Sequence, residues 1–265
     1  MTFRLTRLAA SLLVLIFAFS AYSQRQDYAL LFTADKYENF DDLETIADTQ
    51  EIASILESKY GFQVEVVENY TNTVVMQKIR EYFGKTYGKN DQLLIYFVGH
   101  GYFDSVFKQG YITCSNSSPD DANFESYIEF GVIKNLLNRV PCEHIMLALN
   151  TDYARYFDPE MVGDHWVNDP VQIETEDSDI PDNLVAQKLE RRTRLFVANG
   201  SDRMDNEAYE SFHGLMMNIL NSNGGEDGIV DVTEMTHMMK QLLPVPRAGG
   251  FGADVPGSDF LFIVK

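Results

Sequence analysis

Cysteine is scarce: only Cys114 and Cys142 occur in 265 residues. That excludes a small disulfide-stapled scaffold and leaves room for one bridge at most. Basic residues are few, 21 against 40 acidic ones, for a formal net charge of −19. A phosphate backbone or an anionic membrane surface requires clustered Lys and Arg, so neither is an expected partner. No P-loop occurs, and no Gly-x-Gly-x-x-Gly follows the first apolar run, so the usual modes of nucleotide binding are not expected. Past residue 19 no apolar run is long enough to cross a membrane. What the chain has in quantity is apolar side chains, 45% of residues with 12% aromatic. That composition supports a sizeable core and excludes disordered and collagen-like classes.

The first residues read as an export signal. Arg4 and Arg7 precede an apolar run from Leu8 to Phe19, and Ala21-Tyr22-Ser23 supplies the small residues of a cleavage site. Cleavage is expected after Ser23, leaving residues 24–265 in the periplasm or outside the cell, with no membrane span. No Cys follows the run, so a lipid-anchored form is not indicated. In an oxidising compartment Cys114 and Cys142 either pair or stay as two buried thiols; the sequence leaves both open.

The rest alternates short apolar strands with amphipathic helices. Strands are expected at Tyr28–Thr33, Val64–Val67, Gln92–Val98, His144–Leu149, Arg194–Ala198 and Phe260–Val264. Helices are expected around Ile46–Leu56, Val75–Phe83 and Phe130–Arg139, and over about 208–221 and 233–243. Gly101 and Gly110 bracket a small hairpin. This is the pattern of an α/β fold, a mostly parallel sheet of about six strands between helical layers. From Asp152 to Asp182 ten acids stand against one base, Arg155, with three prolines, as expected of a solvated loop.

In such a sheet, catalytic groups gather outside the carboxyl ends of the strands. Gly99-His100-Gly101 directly follows the Gln92–Val98 strand, and Asn150 to Arg155 follows the His144–Leu149 strand. A His between two glycines projects freely over the sheet edge, either as a catalytic group or as a turn residue. The two strand ends therefore bring His100 and Asp152 to one place.

Five ordered segments resemble the caspase-like cysteine peptidases, including metacaspases and bacterial members: Tyr28–Asn39, Ile46–Thr49, Tyr60–Val64, Ile95–Gly101 and Gly257–Phe262. The resemblance runs over nearly the whole of 24–265. It implies a three-layer caspase-like fold, with His100 as the family histidine and the Gly101 N–H as an oxyanion-type donor. It also exposes a break. The family's nucleophilic cysteine falls at Asp152, the acid two residues before it (part of an acidic substrate pocket in metacaspases) falls at Asn150, and a family glycine falls at Arg155. Family chemistry needs a thiolate activated by His. A carboxylate at Asp152 is a poor acyl acceptor and is expected to hold His100 as an imidazolium. The expectation is a pseudopeptidase that binds a peptide or protein partner in the groove over the strand ends. The alternatives are an active hydrolase using His100 with a non-standard nucleophile or metal, and a purely structural exported domain.

No cofactor is expected. A weak calcium-loop pattern, Asn223, Asp227, Asp231 and Glu234, has Gly225 at one ligand position and also reads as a turn followed by a helix cap.

Overall fold

The computed structural model describes residues 25–157, 182–203, 206–222 and 228–265. The expected signal peptide and positions 158–181 of the acidic stretch lie outside the described residues. In chain order the elements are β1 (Asp27–Thr33), α1 (Ile46–Ser58), β2 (Gln63–Glu68), α2 (Asn72–Phe83), β3 (Gln92–Gly99), β4 (Gly101–Asp104), β5 (Gln109–Ile112), β6 (Ile128–Glu129), α3 (Phe130–Arg139) and β7 (His144–Thr151). There follow a 3-10 turn at Ala154–Tyr156, α4 (Asp182–Lys188), β8 (Thr193–Ala198), α5 (Asn206–Asn221), β9 (Ile229–Asp231), α6 (Val232–Met239), β10 (Arg247–Gly250) and β11 (Leu261–Ile263).

Six strands make the main sheet in the order β10-β8-β7-β3-β1-β2. The five from β2 to β8 are parallel, and β10 joins β8 antiparallel. Strands β3 and β7 are buried along their whole length. They carry unbroken apolar runs because both faces of a parallel sheet are covered. Side chains alternate between the two faces. Leu30, Phe32, Ile95, Phe97 and Leu147 pack with Val75 and Ile79 of α2 and with Ile133 and Leu137 of α3. Ala29, Leu31, Tyr96 and Met146 pack on the other side with Ile52 and Leu56 of α1, Met216 and Ile219 of α5, and Met235 of α6. The result is the three-layer α/β arrangement. Phe32 and Phe97 stack at 4.6 Å between ring centres on adjacent strands, and each buried ring of this size contributes about 1.5–3 kcal/mol.

The C-terminal strand departs from the sequence expectation. Of Phe260–Val264, only Leu261–Ile263 forms a strand, and it pairs antiparallel with β9 outside the main sheet. Its link to the main sheet is the buried Gln92 side chain, which accepts from the Leu261 N–H at 2.8 Å and donates to the Leu261 carbonyl at 2.7 Å. The sixth sheet strand is β10. Its Gly249-Gly250 carries no strand signal, because glycine is depleted in strands. The helix expected over about 233–243 ends at Met239 with Lys240 as its cap, while Pro244 only bars helical backbone at Leu243.

Cys114 and Cys142 are separate buried free thiols, so the bridge left open by the sequence does not form. Cys142 Sγ lies 3.3 Å from the carbonyls of Asp91 and His144. Burial pushes each thiol up to about 12.

Candidate active site

Register places the site. Gly99 of β3 lies opposite Thr151 of β7, so the residues that follow, His100 and Asp152, leave the sheet side by side. Both glycines flanking His100 are needed for close approach. Gly99 has φ +148°, and a β carbon there would strike the Tyr37 hydroxyl. At Gly101 a β carbon would run into the carbonyl oxygen of Asp152. Gly101 then opens β4, which pairs with β5 in the expected hairpin, and β6 extends that small sheet.

His100 Nδ1 lies 3.1 Å from Asp152 Oδ2. The same carboxylate oxygen accepts from the Gly101 N–H at 3.0 Å. On the far side of the ring, His100 Nε2 lies 2.9 Å from the main-chain carbonyl of Asp41. Each ring nitrogen thus faces an acceptor, an arrangement satisfied in full only by the doubly protonated imidazolium. Both side chains are largely buried, 18% exposed for His100 and 12% for Asp152. Burial alone would lower the histidine pKa. The hydrogen bonds to the Asp152 carboxylate and the Asp41 carbonyl outweigh it, and the net direction is upward.

Tyr37 and Phe40 complete the wall. The Tyr37 hydroxyl accepts from the His100 main-chain N–H at 3.0 Å, and its ring packs 4.8 Å from the imidazole. Phe40 lies 6.2 Å away on the same side. Burial raises the Tyr37 phenol well above its ordinary value, so it stays neutral. Of these contributors, Tyr37 lies within the Tyr28–Asn39 segment that resembles the family, but its hydrogen bond to His100 is not legible there. Asp41 acts through its main chain, which leaves no trace in side-chain identity.

After Asp152 the chain turns through Tyr153, whose φ is +56°, into the 3-10 turn. Arg155 is directed to Asp202 (2.7 Å) and to the Tyr156 hydroxyl (2.8 Å). Tyr156 in turn stacks on Phe103 of β4 at 4.2 Å. Asn150, which the resemblance places at the substrate-pocket position, is fully buried, with its Oδ1 accepting from Asn199 Nδ2 at 2.8 Å. Asn150 lies within β7, every residue of which is buried.

Of the weak calcium pattern, Asn223 and Asp227 lie outside the described residues. Asp231 and Glu234 cap α6: Asp231 Oδ1 accepts from the Glu234 N–H at 2.8 Å, and Glu234 reaches back to the Asp231 N–H. The other Asp231 oxygen pairs with Lys188. Among the described residues no group of three or more His, Cys, Asp or Glu side chains is disposed to hold a metal ion.

The arrangement lacks a thiol at the strand ends. Cys142 precedes β7, whose first residue His144 lies opposite Gln92 at the amino end of the sheet, far from His100. Cys114 follows Thr113, whose N–H donates to the His100 carbonyl at 3.0 Å, but its side chain is fully buried in the core and burial keeps the thiol protonated. Residues 26–148 match the family model described as a caspase domain. That stretch includes His100 and ends four residues short of Asp152. No curated protein matches the chain.

Proposed function

We propose that this chain, whose residues 26–148 match the model described as a caspase domain, is an exported pseudopeptidase of the caspase-like family whose groove holds a peptide or protein partner without cutting it. One observation carries this reading: Asp152 Oδ2 is bonded at once to His100 and to the Gly101 N–H. The carboxylate therefore occupies both the general base and the donor that an oxyanion would need. A carboxylate attacking a peptide carbonyl would form a tetrahedral adduct in which the carboxylate leaves far more readily than the amine, so the adduct expels Asp152 and returns to the starting peptide before any anhydride forms. His100, held as imidazolium, has no lone pair with which to take a proton. Export is supported by the Arg4, Arg7 and Leu8–Phe19 pattern, and places the domain in the periplasm or outside the cell.

The test is hydrolysis of a mixed fluorogenic peptide library by the purified 24–265 chain, with His100→Ala and Asp152→Cys in parallel. No turnover is expected from the wild type or from His100→Ala. Regained cleavage in Asp152→Cys would support an intact groove. Turnover by the wild type that disappears in His100→Ala would overturn the proposal. It would favour the second reading, hydrolysis with His100 and Asp152 as an acid–base pair, for which their 3.1 Å separation is suitable.

A further inference from the structure

The C-terminal elements meet at a buried group of three charges. Lys188 ends α4, Asp231 caps α6, and Asp259 lies two residues before β11. An apolar cluster surrounds the junction: Leu189, Ile229 and Leu261 pack with Val185 of α4 and Ile263 of β11. Lys188 Nζ pairs with Asp231 Oδ2 and lies 3.4 Å from Asp259 Oδ2. The three side chains are only 23%, 12% and 9% exposed, in that order. Main-chain bonds fix Asp259 in place. Its N–H donates to the Lys188 carbonyl at 3.2 Å, and its carbonyl accepts from the Thr193 hydroxyl at 2.9 Å. Thr193 begins β8, level with His144 and Gln92, so the group sits at the amino end of the sheet and His100 at the other.

The charges do not balance. Two carboxylates face one ammonium, leaving a net −1 where little water reaches, and an uncompensated buried charge is costly. Three of the four carboxylate oxygens are well engaged. Asp231 Oδ1 accepts from the Glu234 N–H at 2.8 Å, and Asp231 Oδ2 accepts from Lys188. Asp259 Oδ1 accepts from the Val232 N–H at 3.1 Å and the Phe260 N–H at 2.8 Å. Asp259 Oδ2 has the one long contact with Lys188. A proton placed there breaks no short bond and brings the buried charge to zero. Burial first, then the Asp231 charge, raises the Asp259 carboxyl to about 7, with Lys188 and the two N–H groups opposing. The neighbouring titratable groups are engaged elsewhere. Glu234 reaches back to the Asp231 N–H, Arg25 pairs with Asp27, and Asp254 accepts from the Arg194 N–H. His144 Nδ1 lies 3.1 Å from the Thr193 hydroxyl, and burial lowers this histidine to about 4, so it is neutral near pH 7.

We propose that Asp259, Asp231 and Lys188 form a one-proton latch that holds the start of β11 against the start of α6 and tightens as the surroundings turn mildly acid. The latch is independent of the groove. An unfolded aspartate takes up its proton near pH 3.9. Asp259 does so in the fold at higher pH, so between the two values the folded chain binds the extra proton. Stability therefore rises as pH falls through neutral, the reverse of a carboxylate held low by an ion pair. The protonated acid keeps both main-chain bonds at Oδ1 and leaves Lys188 to Asp231. At higher pH the second charge, desolvated and facing Asp231, favours any opening that returns Asp259 to water.

The test is a carboxyl-carbon NMR titration of the full chain, together with amide exchange at pH 8 and pH 6. The Asp259 carboxyl is expected to titrate near neutral pH. Lys188→Met removes the opposing cation and should move that midpoint higher. Protection of the Val232 and Phe260 amides, corrected for intrinsic exchange, should rise about tenfold from pH 8 to pH 6, as expected for a proton held at about 7 in the fold and released in the opened segment. Asp259→Asn keeps the Oδ1 acceptor but cannot ionise, so the rise should disappear. An Asp259 midpoint in the ordinary carboxylate range, a midpoint unmoved by Lys188→Met, or a tenfold rise that persists in Asp259→Asn would overturn the proposal.

Discussion

At the scale of single residues, the site is governed by one carboxylate oxygen shared between an imidazole and a main-chain N–H. Asp152 raises the His100 pKa above its ordinary value, against the burial that would lower it. The pair therefore stabilises the fold fully below the unfolded histidine's pKa, and that contribution fades as pH rises through the folded value. Asp152→Asn removes the opposing charge and leaves the burial. The His100 ring pKa is expected to fall, reaching or passing below the ordinary value, as followed by the ring proton shifts in an NMR titration. The stability difference between wild type and Asp152→Asn should be largest at mildly acid pH and shrink toward alkaline pH. A histidine pKa that does not move in the variant would mean that the Asp41 carbonyl alone sets it, and the imidazolium argument would lose its main support.

At the scale of elements, the parts legible in the sequence are those where side-chain pattern and structure coincide. β1, β3, β7 and β8 are continuous apolar runs because they are covered on both faces, and the order of their carboxyl ends is enough to set His100 beside Asp152. The less legible parts depend on contacts distant in sequence. Nothing local to Gln92 shows that its amide, at the buried start of β3, substitutes for a neighbouring strand and holds Leu261 from 169 positions away. Nothing in Arg247–Gly250 marks an edge strand, because its place is set by pairing with β8 and not by its own side chains. The bond that Asn150 makes with Asn199, 49 positions away, is likewise not legible in its own segment. The Gln92 contact has a measurable consequence. Gln92→Leu keeps the volume but strands the Leu261 N–H in a buried place and leaves its carbonyl only the 3.4 Å bond from Arg25, at a cost of about 1–3 kcal/mol. Urea denaturation should show that loss. Amide exchange at residues 261–263 and at their β9 partners should accelerate more than exchange in β3 and β7. Uniform exchange across the sheet would show that Gln92 merely fills space.

At the scale of the whole molecule, the charge is lopsided: 40 acidic residues against 21 basic ones, a net −19 on the full chain. Some of the exposed acids are paired locally, as Asp42 is with Lys36 and Glu81 with Lys78. Such surface pairs contribute little, about 0–1 kcal/mol each, and salt weakens them. The unpaired excess acts in the other direction, because like charges are closer together in the folded chain than in the unfolded one and oppose compaction. With nearly twice as many acids as bases, repulsion is the larger effect, so screening should stabilise the fold. The Debye length falls from about 10 Å at 0.1 M to about 3 Å at 1 M salt. Raising NaCl over that range is therefore expected to increase the melting temperature. If screening relieves about 1 kcal/mol, the rise is about 2–4 °C for a domain of this size. A melting temperature that falls with salt would show that attractive pairs outweigh the excess charge, and the repulsion argument would fail.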